Sequence, residues 1–383
     1  MADRDRARLK IEPREAVQRL QKYRPPPEGR EGKLRLDFNE NTVGCAPAVV
    51  RTLRRALNAD FLSCYPEYEE GRTILARYFG VSAQEMLITN GVDDAIKLIC
   101  DTFVEPGDVL LIPAPTFPIY QFFHDVTGGR TRTVHYDEAL RLPAERILRA
   151  INKRTRWVAL ANPNNPTGTL VLKGDLQAVL QAAPRTLFLV DEAYYDFSGE
   201  TILPWIRKFP NLVVSRTFSK AFGLAGLRLG FLFANGNLAG LMRRVHAVFA
   251  VNSVAMVCAV EAIRHEDYVR RYARAVCKNR ERLCKWFDSM EICYAPSAAN
   301  FVLVGVGRRA VQIARRLREK SILVRDWAYD PHLKNYLRMT VGTSAQTRCL
   351  IEALGELRDL IDTRARPYAW RDLVSYSAAE YFG

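Results

Sequence analysis

No run of 18 apolar residues occurs in the 383-residue chain, so no transmembrane helix is expected. The opening stretch, MADRDRARLKIEPREAVQRL, mixes charges and lacks an apolar segment, so no secretory signal is expected either. Eight cysteines are scattered at positions 45, 64, 100, 258, 277, 284, 293 and 349, without a CxxC pair or a His–Cys cluster. That spacing speaks against a structural zinc site or a disulfide framework and for a reducing, cytoplasmic setting. No GxxxxGK[ST] loop is present, which sets aside a P-loop ATPase. The net charge of +14 invites a nucleic-acid reading, but the basic residues are spread along the whole chain. Zinc-finger spacing, an RNP-like signature and an N-terminal helix-turn-helix pattern are all missing. A basic surface, or affinity for anionic small molecules, fits better than a nucleic-acid or membrane partner.

Lysine is scarce as well: only 12 of the 56 cationic residues are Lys. This makes Lys220 conspicuous in SRTFSKAFGLAGLRLGF (215–231), where the other cations are Arg216 and Arg228. A neutral amine can form a Schiff base and a guanidinium cannot. From these residues alone an ordinary surface lysine near a turn fits equally well.

Hydrophobic content of 48% and charged content of 26% are those of an ordinary globular chain, long enough for two domains. The first 35 or so residues read as an arm, a short amphipathic helix broken by PPPEGREGK. Buried-strand runs then appear at 109–113, 157–161, 186–190, 212–215 and 229–234. Helical patterns such as 93–103 and 173–183 lie between them. This alternation predicts a large α/β domain with a mainly parallel sheet over residues 36–250. After about residue 236 the character changes: helical patterns at 238–248, 253–264, 267–289, 309–320 and 344–360, with apolar runs at 300–307 and 337–341, predict a smaller α+β domain, placed over 251–383. Its tail, RPYAWRDLVSYSAAEYFG, is rich in aromatics.

In open α/β sheets the loops at the carboxyl ends of the strands build the site. Here those loops read APTFPIY, NPNNPTG, DEAYYDF and RTFSK. Asp191 follows an apolar strand, and a buried carboxylate needs a partner. A protonated pyridine nitrogen, as pyridoxal phosphate (PLP) presents, would serve, and so would a helix cap or a metal. Asn165 lies in a Pro-flanked turn, where its amide could hold a ring hydroxyl. In TNGVDDAI (89–96) a strand end, a Gly turn and a helix start leave free N–H groups for an anion, though alone the stretch reads as a plain helix cap. Thr217, Ser219 and Arg228 add hydroxyls and a guanidinium to a possible phosphate cradle. Phe117 could lie on a planar ring or simply join the core.

Taken together, PTF, NPNNPTG, DEAY and SKAFGLAGLRLGF resemble the fold type I PLP-dependent aminotransferases, and among them the histidinol-phosphate aminotransferase family. The similarity runs from LDFNEN (36–41) through YPE (65–67) to ILVRD (322–326) and LRMTVGT (337–343). The resemblance implies that Lys220 carries the cofactor and shuttles a proton at the substrate's Cα. It implies that Asp191 pairs with the pyridine nitrogen, that Asn165 and Tyr194 hold the ring hydroxyl, and that Phe117 stacks on the ring. The backbone at Val92 and Asp93, with Thr217, Ser219 and Arg228, is implied to bind the cofactor phosphate, with Tyr65 reaching a phosphate across a homodimer interface. Arg325, Arg338, Asn39 and Tyr23 of the arm are the implied substrate-binding residues. Three positions depart from the family pattern: Thr42 stands in place of Pro, Ser321 in place of Gly, and Phe117 in place of Tyr. The reaction implied is transamination of histidinol phosphate with 2-oxoglutarate, in histidine biosynthesis. An aromatic amino-acid aminotransferase and a phosphothreonine-type decarboxylase remain open on the same scaffold. A PLP-sensing regulator is less well served, because no stretch is left for a DNA-binding module.

Overall fold

The computed structural model describes residues 11–20, 28–137, 140–328, 330 and 333–363. Tyr23 and the aromatic tail lie outside these residues. The strands, in chain order, are β1 (Leu34–Leu36), β2 (Met86–Thr89), β3 (Val109–Ala114), β4 (Arg130–His135), β5 (Thr155–Ala161), β6 (Leu187–Asp191), β7 (Leu212–Thr217), β8 (Gly230–Ala234), β9 (Phe301–Gly305), β10 (Ile322–Asp326) and β11 (Tyr336–Thr340).

Seven of them form one sheet in the order β2-β8-β7-β6-β5-β3-β4. All neighbours are parallel except β8, which runs antiparallel to both β2 and β7. The central strands are buried on both faces, and alternate residues feed two cores. Val158, Leu160, Phe188, Val190 and Val214 join one. Trp157, Ala159, Leu187, Leu189 and Val213 join the other, beneath the helices Gly91–Phe103 and Gly236–Arg243. Two-sided burial explains the continuous apolar runs in the sequence. Truncating one such side chain, Leu160 for example, would cost about 2–5 kcal/mol.

A smaller sheet has the order β1-β10-β11-β9. Its edge strand β1, at the boundary expected between arm and large domain, pairs in parallel with β10. The helix Glu266–Ser289 presents Tyr272, Val276, Leu283 and Phe287 to the core that continues beneath this sheet. The helix expected over 238–248 stops at Arg243, and a turn follows.

The position occupied by Ser321 adopts φ 62°, in the left-handed region, where glycine is the least strained residue. The backbone N–H of Thr42, which proline would lack, lies 3.3 Å from the Tyr272 hydroxyl.

Candidate active site

The carboxyl ends of β3, β5, β6 and β7 converge on a cavity of about 220 Å³, closed from the other side by residues of β10 and β11. Asp191, the last residue of β6, is 5% exposed. Its Oδ2 accepts from the Tyr120 hydroxyl (2.7 Å), and its Oδ1 accepts from the Ser215 hydroxyl (2.8 Å) and the Ala193 N–H (3.2 Å). Burial pushes its pKa up, against these three donors, which favour the anion. Among the described residues no cationic side chain forms an ion pair with it. A buried carboxylate with an anion's hydrogen-bond shell and no counter-ion, lining a cavity, fits a protonated ring nitrogen. This is the nitrogen that PLP presents.

Lys220 follows β7 and lines the same cavity. Its Nζ donates to the Phe38 carbonyl (3.0 Å) and lies 5.8 Å from the centre of the Tyr194 ring. Burial, reinforced by the charges of Arg338 and Arg228 and opposed by Glu40, lowers its pKa to about 8. The shift makes the neutral, nucleophilic amine far more accessible near neutral pH than it is for an ordinary lysine.

Val92 and Asp93 follow Gly91 in the first turn of the 13-residue helix Gly91–Phe103 and line the cavity, where a helix N-terminus offers N–H groups to an anion. Arg228 (φ 51°) donates to Asp93 Oδ2 at 3.0 Å. Gly91 permits this approach, because a Cβ there would lie 2.7 Å from the Arg228 guanidinium. Thr217 Oγ1 accepts from the Ser219 N–H (3.0 Å) and lies 2.9 Å from the Ser219 hydroxyl. Guanidinium, hydroxyls and helix N–H groups make a cup suited to a phosphate.

On the opposite side, Asn39 (φ 56°) donates from Nδ2 to the Tyr194 hydroxyl at 2.9 Å, and its N–H donates to Thr340. Arg338 is 7% exposed and donates to Asn165 Oδ1 (2.6 Å) and the Asp37 carbonyl (2.7 Å). Its guanidinium carbon lies 5.4 Å and 5.6 Å from the ring centres of Phe301 and Trp327. Arg325 on β10 is the register partner of Arg338 on β11, and both line the cavity. Two guanidinium groups lining one cavity can serve an anionic guest.

The structure thus brings together Lys220, Asp191, Tyr194, Asn165, Phe117, Val92, Asp93, Thr217, Ser219, Arg228, Asn39, Arg325 and Arg338. Tyr65 is elsewhere: it is 77% exposed, stacked on Phe249 with ring centres 4.5 Å apart. Tyr120, Ser215, Phe38 and Trp327 were not selected from the sequence. Tyr120, in APTFPIY, sits three residues after Phe117 and packs edge-on against it at 5.6 Å. The spacing of one helical turn was the available signal.

A family model for class I and II aminotransferases matches residues 31–354. Histidinol-phosphate aminotransferase 2 of Carboxydothermus hydrogenoformans is 33% identical over 365 residues, covering 91% of this chain and 99% of that one. The histidinol-phosphate aminotransferase of Moorella thermoacetica is 35% identical over 370 residues, covering 90% and 92%. Among solved structures, the Sinorhizobium meliloti histidinol-phosphate aminotransferase in complex with pyridoxal-5'-phosphate has a TM-score of 0.81. It is 29% identical, and the match covers 90% of this chain and 97% of that one. With the cavity's lysine, carboxylate and phosphate cup, these similarities lead to one conclusion: the chain belongs to the class I and II aminotransferases, PLP-dependent transaminases of fold type I.

Proposed function

We propose that this enzyme transfers the amino group of histidinol phosphate to 2-oxoglutarate, in histidine biosynthesis, as a cytoplasmic homodimer. One observation carries the substrate reading. The two register-paired arginines, Arg325 and Arg338, face the cavity that holds Lys220. Histidinol phosphate brings a phosphate and no α-carboxylate, whereas glutamate brings two carboxylates. Planar guanidinium groups serve both kinds of anion. The names of relatives spanning nearly the whole chain support the same choice.

In this reading Arg228, Thr217, Ser219 and the helix N–H groups at Val92 and Asp93 hold the cofactor phosphate. Tyr65 of a second copy completes that cup, its exposed position leaving it available to do so. Asn165 and Tyr194 hold the ring hydroxyl, Phe117 covers the ring, and Asp191 fixes a proton on the ring nitrogen. Bound PLP supplies an electron-poor ring that takes up the charge left when the Cα proton departs. Lys220 Nζ is the base that removes this proton and returns it during the exchange. Its depressed pKa matches that task. Arg325 and Arg338 orient the donor and acceptor in turn, and Asn39 supports Tyr194.

The test is the visible absorption of the PLP-loaded protein, before and after histidinol phosphate is added without any keto acid. Loss of the visible band supports the proposal. A band that persists with histidinol phosphate but bleaches with phenylalanine or tyrosine replaces it with an aromatic transaminase. A protein that PLP cannot turn yellow refutes it.

A further inference from the structure

The loop between β1 and the first long helix carries much of the site on its backbone. The Phe38 carbonyl receives the Lys220 amine and the Asp37 carbonyl receives Arg338, while the Asn39 side-chain amide donates to the Tyr194 hydroxyl. Asn39 has a positive φ, a conformation that persists only where the surroundings over-determine it. Beyond the contacts of Asn39 itself, Arg30 reaches both flanks of this segment.

Its Nε and Nη2 donate to the two oxygens of Asp37 at 3.0 and 2.8 Å. Nη2 and Nη1 also donate to Glu40 at 2.7 and 3.4 Å. Between these two carboxylates the guanidinium carbon lies over the Phe38 ring, 4.1 Å from its centre. One planar group thereby touches three of the four residues 37–40. The ion pair is protected: the Asp37 side chain is 7% exposed and that of Arg30 22%. A lysine ammonium is a point donor and cannot span both carboxylates as a planar fork does. Arg30 itself comes from PPPEGREGK, a stretch whose sequence reads only as a helix breaker. It does not line the cavity.

We propose that Arg30 is a positioning residue for transamination, clamping residues 37–40 so that their backbone holds Lys220 and Arg338 in working geometry. The proposal rests on the functional reading above. Its charge matters as well as its shape, because Glu40 acts on Lys220 electrostatically and Arg30 offsets Glu40.

The test compares Arg30→Lys and Arg30→Gln with the wild type, all loaded with PLP. It measures thermal melting, kcat and KM for both substrates, and the pH titration of the visible band without substrate. Arg30→Lys keeps the charge, so its titration inflection should stay at the wild-type pH while kcat/KM falls on the order of tenfold through loss of the fork. Arg30→Gln should lose more activity and move the inflection upward by about half a pH unit, as Glu40 is left with the more exposed Arg35 at 3.5 Å. If Arg30→Gln does not fold, the Lys variant decides. Should kcat/KM per folded molecule stay within about twofold of wild type in the Lys variant, the proposal is overturned, whatever the melting temperature does. A wild-type enzyme inactive on histidinol phosphate would sink the substrate reading alone. The Arg30 comparison could then still be made on the titration and on whichever amino donor bleaches the band.

Discussion

Replacing Tyr120 by Phe isolates the support given to Asp191. The ring is fully buried and packs against Phe117, so the substitution preserves shape and removes one hydroxyl. That hydroxyl donates at 2.7 Å to Asp191 Oδ2, which has no other partner among the described residues. A hydrogen bond to a charged group contributes about 1.5–3 kcal/mol. At 1.36 kcal/mol per unit, losing it should raise the Asp191 pKa by about 1–2 units. The direction follows from the chemistry: the donor favours the carboxylate, and burial already favours the neutral acid. A neutral Asp191 cannot hold a proton on the cofactor's ring nitrogen, so the electron sink weakens. If most of the loss appears at the transition state, kcat should fall roughly 10- to 100-fold. The acid limb of the kcat–pH profile should also move to higher pH. Steady-state kinetics across pH, with the visible spectrum as a check on cofactor loading, reads both effects. A kcat within twofold of wild type and an unmoved acid limb would refute the reasoning.

Other outcomes follow from the same geometry. Lys220→Ala should abolish transamination while preserving the fold, and so should a Tyr65→Ala variant in part if Tyr65 serves the partner's site. Mixing the two after reversible dissociation should restore activity, up to about a quarter of wild type, because hybrid dimers hold one intact site; no recovery would place Tyr65 outside the site. Arg325→Ala should raise KM for histidinol phosphate more than for an uncharged amine, and an equal loss for both would remove its proposed role. His124 gives a pH prediction for stability. It is fully buried, Trp157 donates to its Nδ1 at 3.0 Å, and burial lowers its pKa from 6.5 to about 4. The unfolded chain takes up this proton first, so its contribution is intact above pH 6.5 and is lost as pH falls towards 4, by about 3 kcal/mol in all. Urea unfolding of His124→Asn should show a shallower pH slope in that window, and an unchanged slope would contradict the assignment.

The central strands were legible because burial on both faces writes an uninterrupted apolar run, as in WVALA and TLFLV. Edges were not. β4 is RTRTVH, with charged and polar side chains at most positions, as suits an edge strand that must not recruit another. β1 is three residues long and has no partner until β10, nearly 290 residues later. Neither local propensity nor periodicity carries such a pairing.

The same division runs through the site. Lys220, Asp191 and Asn165 were legible because each stands at or just beyond the carboxyl end of a strand, where the fold puts chemistry. Tyr120 and Ser215 were not, since their function is a contact with Asp191 across 71 and 24 residues of sequence. Arg325 and Arg338 could be named from short motifs, but their joint meaning depends on the β10–β11 register. A slip of one residue would turn one guanidinium to the opposite face of the sheet and separate the pair. In the proposed reading the reaction chemistry lies close to single strand ends, while the two arginines assigned to the substrate depend on the register within the smaller sheet. The substitution Ser321 at φ 62° lies at the entrance to β10 and so bears on the second of these. Ser321→Gly should relieve local strain there and stabilise the protein. If it also altered the ratio of kcat/KM between phosphate-bearing and neutral donors, that would tie the register to specificity.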